Sequence, residues 1–203
     1  MAKKVISPKR IAILMAIIAL ISFGYKLTLG ILATSLVMIV AAVPSFFIFV
    51  CKASYAKNMH QTRKSKKKAY LLMAVATTCF VVVFILFSVL KVGGIDITNK
   101  NRFEDWVGIV FIAFIIIMFI LSIINLKGAL NRTDIVVIGM KEITFVSALA
   151  DAMMIEEFIY RFLLAYLDTP YLDYVNQYFP LAIGVIMLIV PICMFRRYFK
   201  YEE

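Results

Sequence analysis

The sequence predicts an all-α, polytopic integral membrane protein, a six-transmembrane-helix bundle with both the N-terminus and the C-terminus cytoplasmic. Three observations carry this. Of 203 residues, 64% are hydrophobic and 17% charged, against about 45–50% and about 25% in soluble domains. A chain of this size cannot hide so much apolar surface by folding, so hydrocarbon must be part of its solvent. The apolar residues gather in runs of about 20, the length that covers about 30 Å of hydrocarbon as a helix. Lys and Arg gather between alternate runs, as expected when cytoplasmic segments hold the positive charge.

Taking the elements in order, Ile11 to Cys51 is apolar for roughly twice one crossing and is interrupted only around Gly24, Lys26 and Gly30. It reads as a helical hairpin with spans over 9–27 and 31–51 and a tight turn between them. Residues 70–90 and 106–125 are apolar and free of charge. Residues 179–197 form the last clear run, flanked by Tyr178 and Phe199, whose rings suit the headgroup level. The remaining span, 144–166, carries Asp151, Glu156, Glu157 and Arg161. On insertion scales these four charges cost on the order of 10 kcal/mol, while the apolar residues return only about 4 kcal/mol. This helix is therefore expected to insert only when enclosed by the others. Leaving it out would break the charge asymmetry that orients the chain. One transmembrane domain is expected over 1–203, with no internal repeat and no low-complexity tract.

With six spans, seventeen Lys and Arg fall on the cytoplasmic side, and only Lys26, Lys91, Lys100 and Arg102 on the outer side. The cell membrane is the expected location. Lys3, Lys4 and Arg10 before an apolar stretch resemble the start of a secretory signal, but no A-x-A-like site follows, so the first span is expected to stay. On the outer side, Thr169 and Pro170 suit the cap and first position of a helix. Tyr171, Tyr174 and Tyr178 then recur at helical spacing, predicting a short aromatic helix on the interface. Gly93 and Gly94 predict a turn.

Several functions are excluded by composition. The excess of 22 Lys and Arg over 12 Asp and Glu is dispersed between apolar runs, so no nucleic-acid partner is expected. Cys51, Cys79 and Cys193 show no metal-ligand spacing and read as small buried hydrophobes. His60 is the only histidine, which removes H-E-x-x-H metalloprotease chemistry. No nucleotide-binding motif, haem ligand pair or nucleophile elbow is present, so no catalytic residue, cofactor or metal is expected and the chain is not read as an enzyme.

The charged span holds the candidate site. At about 100° per residue, Ser147, Asp151, Met154, Glu157, Phe158 and Arg161 share one side with Ala150, while Glu156 lies beside Tyr160. Glu157 and Arg161 stand at i,i+4 in the favourable order for an ion pair. Ser147, Asp151, Glu156, Glu157 and Arg161 are thus candidates for an ion or substrate path, since ionisable groups within a membrane are expensive and lean towards function. A purely structural Glu157–Arg161 pair is the competing reading. The string Glu156-Glu157-Phe158-Ile159-Tyr160-Arg161 resembles the E-E-x-x-x-R motif of the CAAX-protease and bacteriocin-processing family of intramembrane proteases. That resemblance implies a glutamate activating water with help from histidines on later helices. With no histidine after His60, this chain would be a degenerate form lacking them.

A second candidate is the basic loop: Lys52, Lys57, Arg63, Lys64, Lys66, Lys67 and Lys68, with no acid between. It suits anionic headgroups of the inner leaflet at about 1 kcal/mol per residue, or an acidic partner. Its plainer reading is a solvated determinant of topology. The leading functional expectation is a small-solute or ion transporter or channel component, with a homo-oligomer expected because six helices enclose little space. The alternative is a non-catalytic accessory, immunity or assembly subunit that binds another membrane protein.

Overall fold

A computed structural model of the protein describes residues 8–32, 36–57, 62–94, 105–131, 133–164 and 170–201. Those residues form six α-helices and no strand: α1 (Pro8–Leu32), α2 (Leu36–Lys57), α3 (Arg63–Val92), α4 (Asp105–Leu130), α5 (Ile135–Leu164) and α6 (Pro170–Lys200). Two are long and apolar enough to cross a membrane, α3 and, over Tyr171–Lys200, α6. Shorter apolar stretches lie at Ala16–Thr28, Ala42–Ala53 and Ile115–Leu130.

Local chemistry sets the ends. Asp134 starts α5, its Oδ1 accepting from the Val136 amide at 3.1 Å, which satisfies one of the unpaired N–H groups of a first turn. α3 stops at Gly93-Gly94, where Gly94 takes φ 81°, a left-handed conformation that costs a glycine little. Within the helices Thr77, Thr78, Ser88 and Thr144 each donate to the carbonyl four residues back. Their hydroxyls are thus satisfied inside apolar helices without a partner elsewhere.

α5 is the hub. It packs against α2, α3, α4 and α6, whereas among the described residues α1 packs closely on α2 alone and α4 on α5 alone. The core lies where α3, α5 and α6 meet, around Tyr70, Val81, Ile135, Val146, Met187 and Met194. Gly139 lets α3 approach: a Cβ there would stand 2.8 Å from Tyr70 Cδ2 and 3.0 Å from Met73 Sδ. The outer surface of the bundle is apolar, with Ile21, Leu72, Ile124 and Ile192 among its exposed residues.

Three expectations are corrected. The turn expected at Gly24–Gly30 is helix, because α1 continues to Leu32; Lys26 is accommodated by a partner rather than by a loop. The charged span expected from 144 belongs to a longer helix, α5, which begins at Ile135 behind its Asp134 cap. No separate aromatic helix precedes the last span: Pro170 opens α6 as expected, but α6 then runs unbroken through Pro180 and Pro191. No turn residues separate its two parts, and interhelical hydrogen bonds hold its first turns. Cys79 and Cys193 are exposed on the apolar outer surface rather than buried, and only Cys51 is half-buried.

Candidate functional site

Three acids spaced along α5 each meet a cation from a different helix. Glu142, Asp151 and Glu156 rise about 21 Å along the axis from first to last at about 1.5 Å per residue. Successive acids are turned by about 180° and about 140°, so each faces a different neighbour.

The central couple is the most enclosed. Lys26 Nζ of α1 lies 2.6 and 2.8 Å from the two carboxylate oxygens of Asp151 and donates to Ser45 Oγ of α2 at 3.2 Å. Lys26 is 5% exposed and Asp151 9%. Ser147, one turn before Asp151, is buried as well. Because α1 packs closely on α2 alone, this lysine reaches across to α5 and ties the outermost helix to the hub.

The second couple joins Lys91, at the end of α3, to Glu156 at 3.8 Å. Lys91 Nζ also donates to Asn176 Oδ1 of α6 at 2.5 Å, and both members of the couple are buried. Nearby, Tyr160 donates to Asp173 Oδ1 at 2.6 Å, fastening the first turns of α6 to α5. The third couple lies at the opposite end of the bundle. There Glu142 Oε1 accepts from Arg197 Nη1, Glu142 Oε2 accepts from the Tyr70 hydroxyl at 3.0 Å, and Arg197 donates to the same hydroxyl at 3.3 Å.

That end is rich in basic residues, and the expected loop of seven is not one unit. Lys52 and Lys57 belong to the last turns of α2, and Arg63 to Lys68 form the start of α3. Arg63, Lys64 and Lys68 are exposed. Arg63 lies over the Tyr201 ring and donates to the Tyr201 carbonyl at 3.1 Å. Lys66 pairs with Asp134 at 2.6 Å, and Lys67 sits over the Tyr198 ring at 4.6 Å. Five cations at a helix N-terminus oppose the helix dipole, and these acid and aromatic contacts offset that repulsion.

Of the residues singled out from sequence, the structure gives Asp151 and Glu156 separate partners and buries Ser147 beside Asp151. Glu157, Arg161 and Lys57 lie in helices, but their side chains fall outside the described residues, so the Glu157–Arg161 pair does too. Sequence reasoning missed Lys26, Ser45, Tyr70, Lys91, Glu142, Asn176 and Arg197. The available signal was charge in apolar surroundings: Lys26 inside one apolar run and Lys91 at the edge of another, two cations for the two acids of the charged span. Among the described residues no three His, Cys, Asp or Glu side chains gather as a metal site. No family model matches this chain, and neither the curated proteins nor the solved structures contain a match.

Proposed function

We propose that the chain is a six-span protein of the cell membrane, with both termini cytoplasmic, that moves a small solute or ion along the polar positions of α5. The Asp151–Lys26 couple carries this reading. Removing two charges from water costs several kcal/mol per ion in practice, and well-packed apolar residues in place of a buried pair often leave a protein equally or more stable. A bundle needing only stability has no use for the couple. Charge kept within a membrane leans instead towards ion, proton or substrate handling.

On this reading the basic end of the bundle is cytoplasmic, and the closed couples represent an occluded state. Glu142–Arg197 then lies towards the cytoplasm, Asp151–Lys26 in the middle and Glu156–Lys91 towards the outside. A proton or a substrate cation that takes the Asp151 carboxylate releases Lys26, whose ammonium keeps the Ser45 hydroxyl. Release also loosens α1 from α5, so α1 is the element freed to move, while α2 keeps its packing on α5. An accessory or assembly role draws on a different feature, the apolar face of α4 carrying Ile116, Ile117, Ile120 and Ile124, exposed in the single chain.

Charge movement tests the proposal. Proteoliposomes on a solid-supported membrane are exposed to jumps in proton, Na⁺, K⁺ and small charged-solute concentration. Transient currents are expected with the wild-type protein and are expected to be lost in Asp151→Asn. Silence across the whole panel, or currents unchanged in Asp151→Asn, would remove the transport reading and leave the α4 face as the feature to pursue.

A further inference from the structure

Lys52 differs from the other buried cations. Lys26 and Lys91 each meet an acid, and so do the half-buried Arg197 and Lys66. Lys52, near the end of α2, is 7% exposed, and among the described residues it makes neither an ion pair nor a hydrogen bond. The charged group close enough to act on it is another cation, Lys141 in the second turn of α5, a helix that α2 packs against. Lys141 is itself half-buried. The nearest acids along α5 are already engaged, Asp134 by Lys66 and Glu142 by Arg197 and Tyr70. Both lysines lie outside the expected spans 31–51 and 144–166. Burial, with repulsion from Lys141, lowers the Lys52 ammonium to about 8, and burial lowers Lys141 too. A lysine side chain nine-tenths buried, and repelled by a second lysine, is unfavourable until an anion joins them.

We propose that Lys52 and Lys141 form a phosphate-binding site between α2 and α5 at the basic end of the bundle. A phosphate group suits it because its several oxygens accept charge-assisted hydrogen bonds from two separate ammonium groups at once. The same group is offered by an anionic lipid headgroup and by a soluble phosphate. The site does not depend on transport, and its test does not read transport.

The full chain in an uncharged maltoside detergent is melted while dioctanoyl phosphatidylglycerol, dioctanoyl phosphatidylcholine or inorganic phosphate is titrated. A saturable rise in melting temperature is expected with phosphatidylglycerol and not with the zwitterionic lipid. A matching rise with inorganic phosphate would assign the site to the free anion as well, and no rise with it would assign the site to the lipid. Lys52→Met and Lys141→Met are each expected to raise the half-saturating concentration by about tenfold to hundredfold, the loss of one charge-assisted hydrogen bond. Lys64→Gln and Lys68→Gln are expected to leave it unchanged. Lys52→Met removes an uncompensated buried charge, so without ligand it is expected to melt no lower than wild type. The proposal is overturned by the absence of any saturable shift, by a shift that survives in Lys52→Met, or by a Lys52→Met protein that melts well below wild type without ligand.

Discussion

Breaking the central couple one member at a time is expected to cost far more than removing it whole. In Asp151→Ala the Lys26 ammonium, 5% exposed, keeps only the Ser45 hydroxyl at 3.2 Å. In Lys26→Met the Asp151 carboxylate loses a cation that touches both of its oxygens. Orphaning one member of a buried pair costs about 3–5 kcal/mol, whereas apolar replacement of both is often neutral or stabilising by about 1–4 kcal/mol. The double variant Lys26→Met/Asp151→Leu is therefore expected to match or exceed wild type, giving a coupling energy of about 6 kcal/mol or more. The loss in the single variants should fall first on α1, which reaches α5 through Lys26. Equilibrium unfolding in mixed detergent micelles, followed by far-ultraviolet circular dichroism, measures all four corners of the cycle. Single variants within about 1 kcal/mol of wild type, or a double variant that sums the two single losses, would refute the reasoning.

Three further outcomes are expected. Gly139→Ala drives a methyl group against the Tyr70 ring, which is fully buried and tied to Glu142; overpacking of this kind costs about 1–3 kcal/mol, while Gly128→Ala meets nothing within 4 Å and is expected to melt like wild type. Tyr70→Phe removes a hydrogen bond to a carboxylate and is expected to lower stability by about 1.5–3 kcal/mol, read in the same unfolding assay. Lys52 has its ammonium lowered from 10.5 to about 8, so between these values the unfolded chain holds more of this proton than the folded one and stability rises with pH. Below about 8 both states are protonated and the slope vanishes. The stability difference between wild type and Lys52→Met should therefore shift in favour of wild type as pH rises from about 8 to about 10, and a flat difference would contradict the shift.

Much of the helical order was readable from the sequence, because apolar runs of one-crossing length and charges between them report helices locally. Pro170 marked the start of α6 for the same reason, since first-turn preferences involve only neighbouring residues; its expected cap, Thr169, lies outside the described residues. The continuation of α1 through Lys26 was not readable in this way. Lys26 looked like a turn residue because a lone cation in an apolar run is costly, and the Asp151 that accommodates it is 125 residues away. Glu142 escaped notice because the charged span was read from 144 onward, and Glu142 stands just before it, next to Lys141 in an otherwise apolar first part of α5. A wheel drawn on α5 ranks its faces but not what each face meets. Only the packing of α1, α3 and α6 around it sends Asp151, Glu156 and Glu142 to three different cations. The basic segment shows the same limit: its charge was plain, but the division into exposed residues, an Asp134 pair, two aromatic contacts and an enclosed Lys52 depends on where α2, α5 and α6 end.

Water access along α5 tests the central claim most directly. Single cysteines at 147, 151, 154, 157 and 161, with lipid-facing controls at 116 and 120 on α4, are placed in a cysteine-free protein and reconstituted in liposomes. Reaction with a membrane-impermeant thiol reagent is then timed. The account predicts labelling that recurs along the Ser147–Asp151 side of α5 well above the α4 controls, as openings of an occluded path admit water. Labelling at 147 and 151 no faster than at 116 and 120 would mean a permanently dry couple, and would contradict a path on this helix.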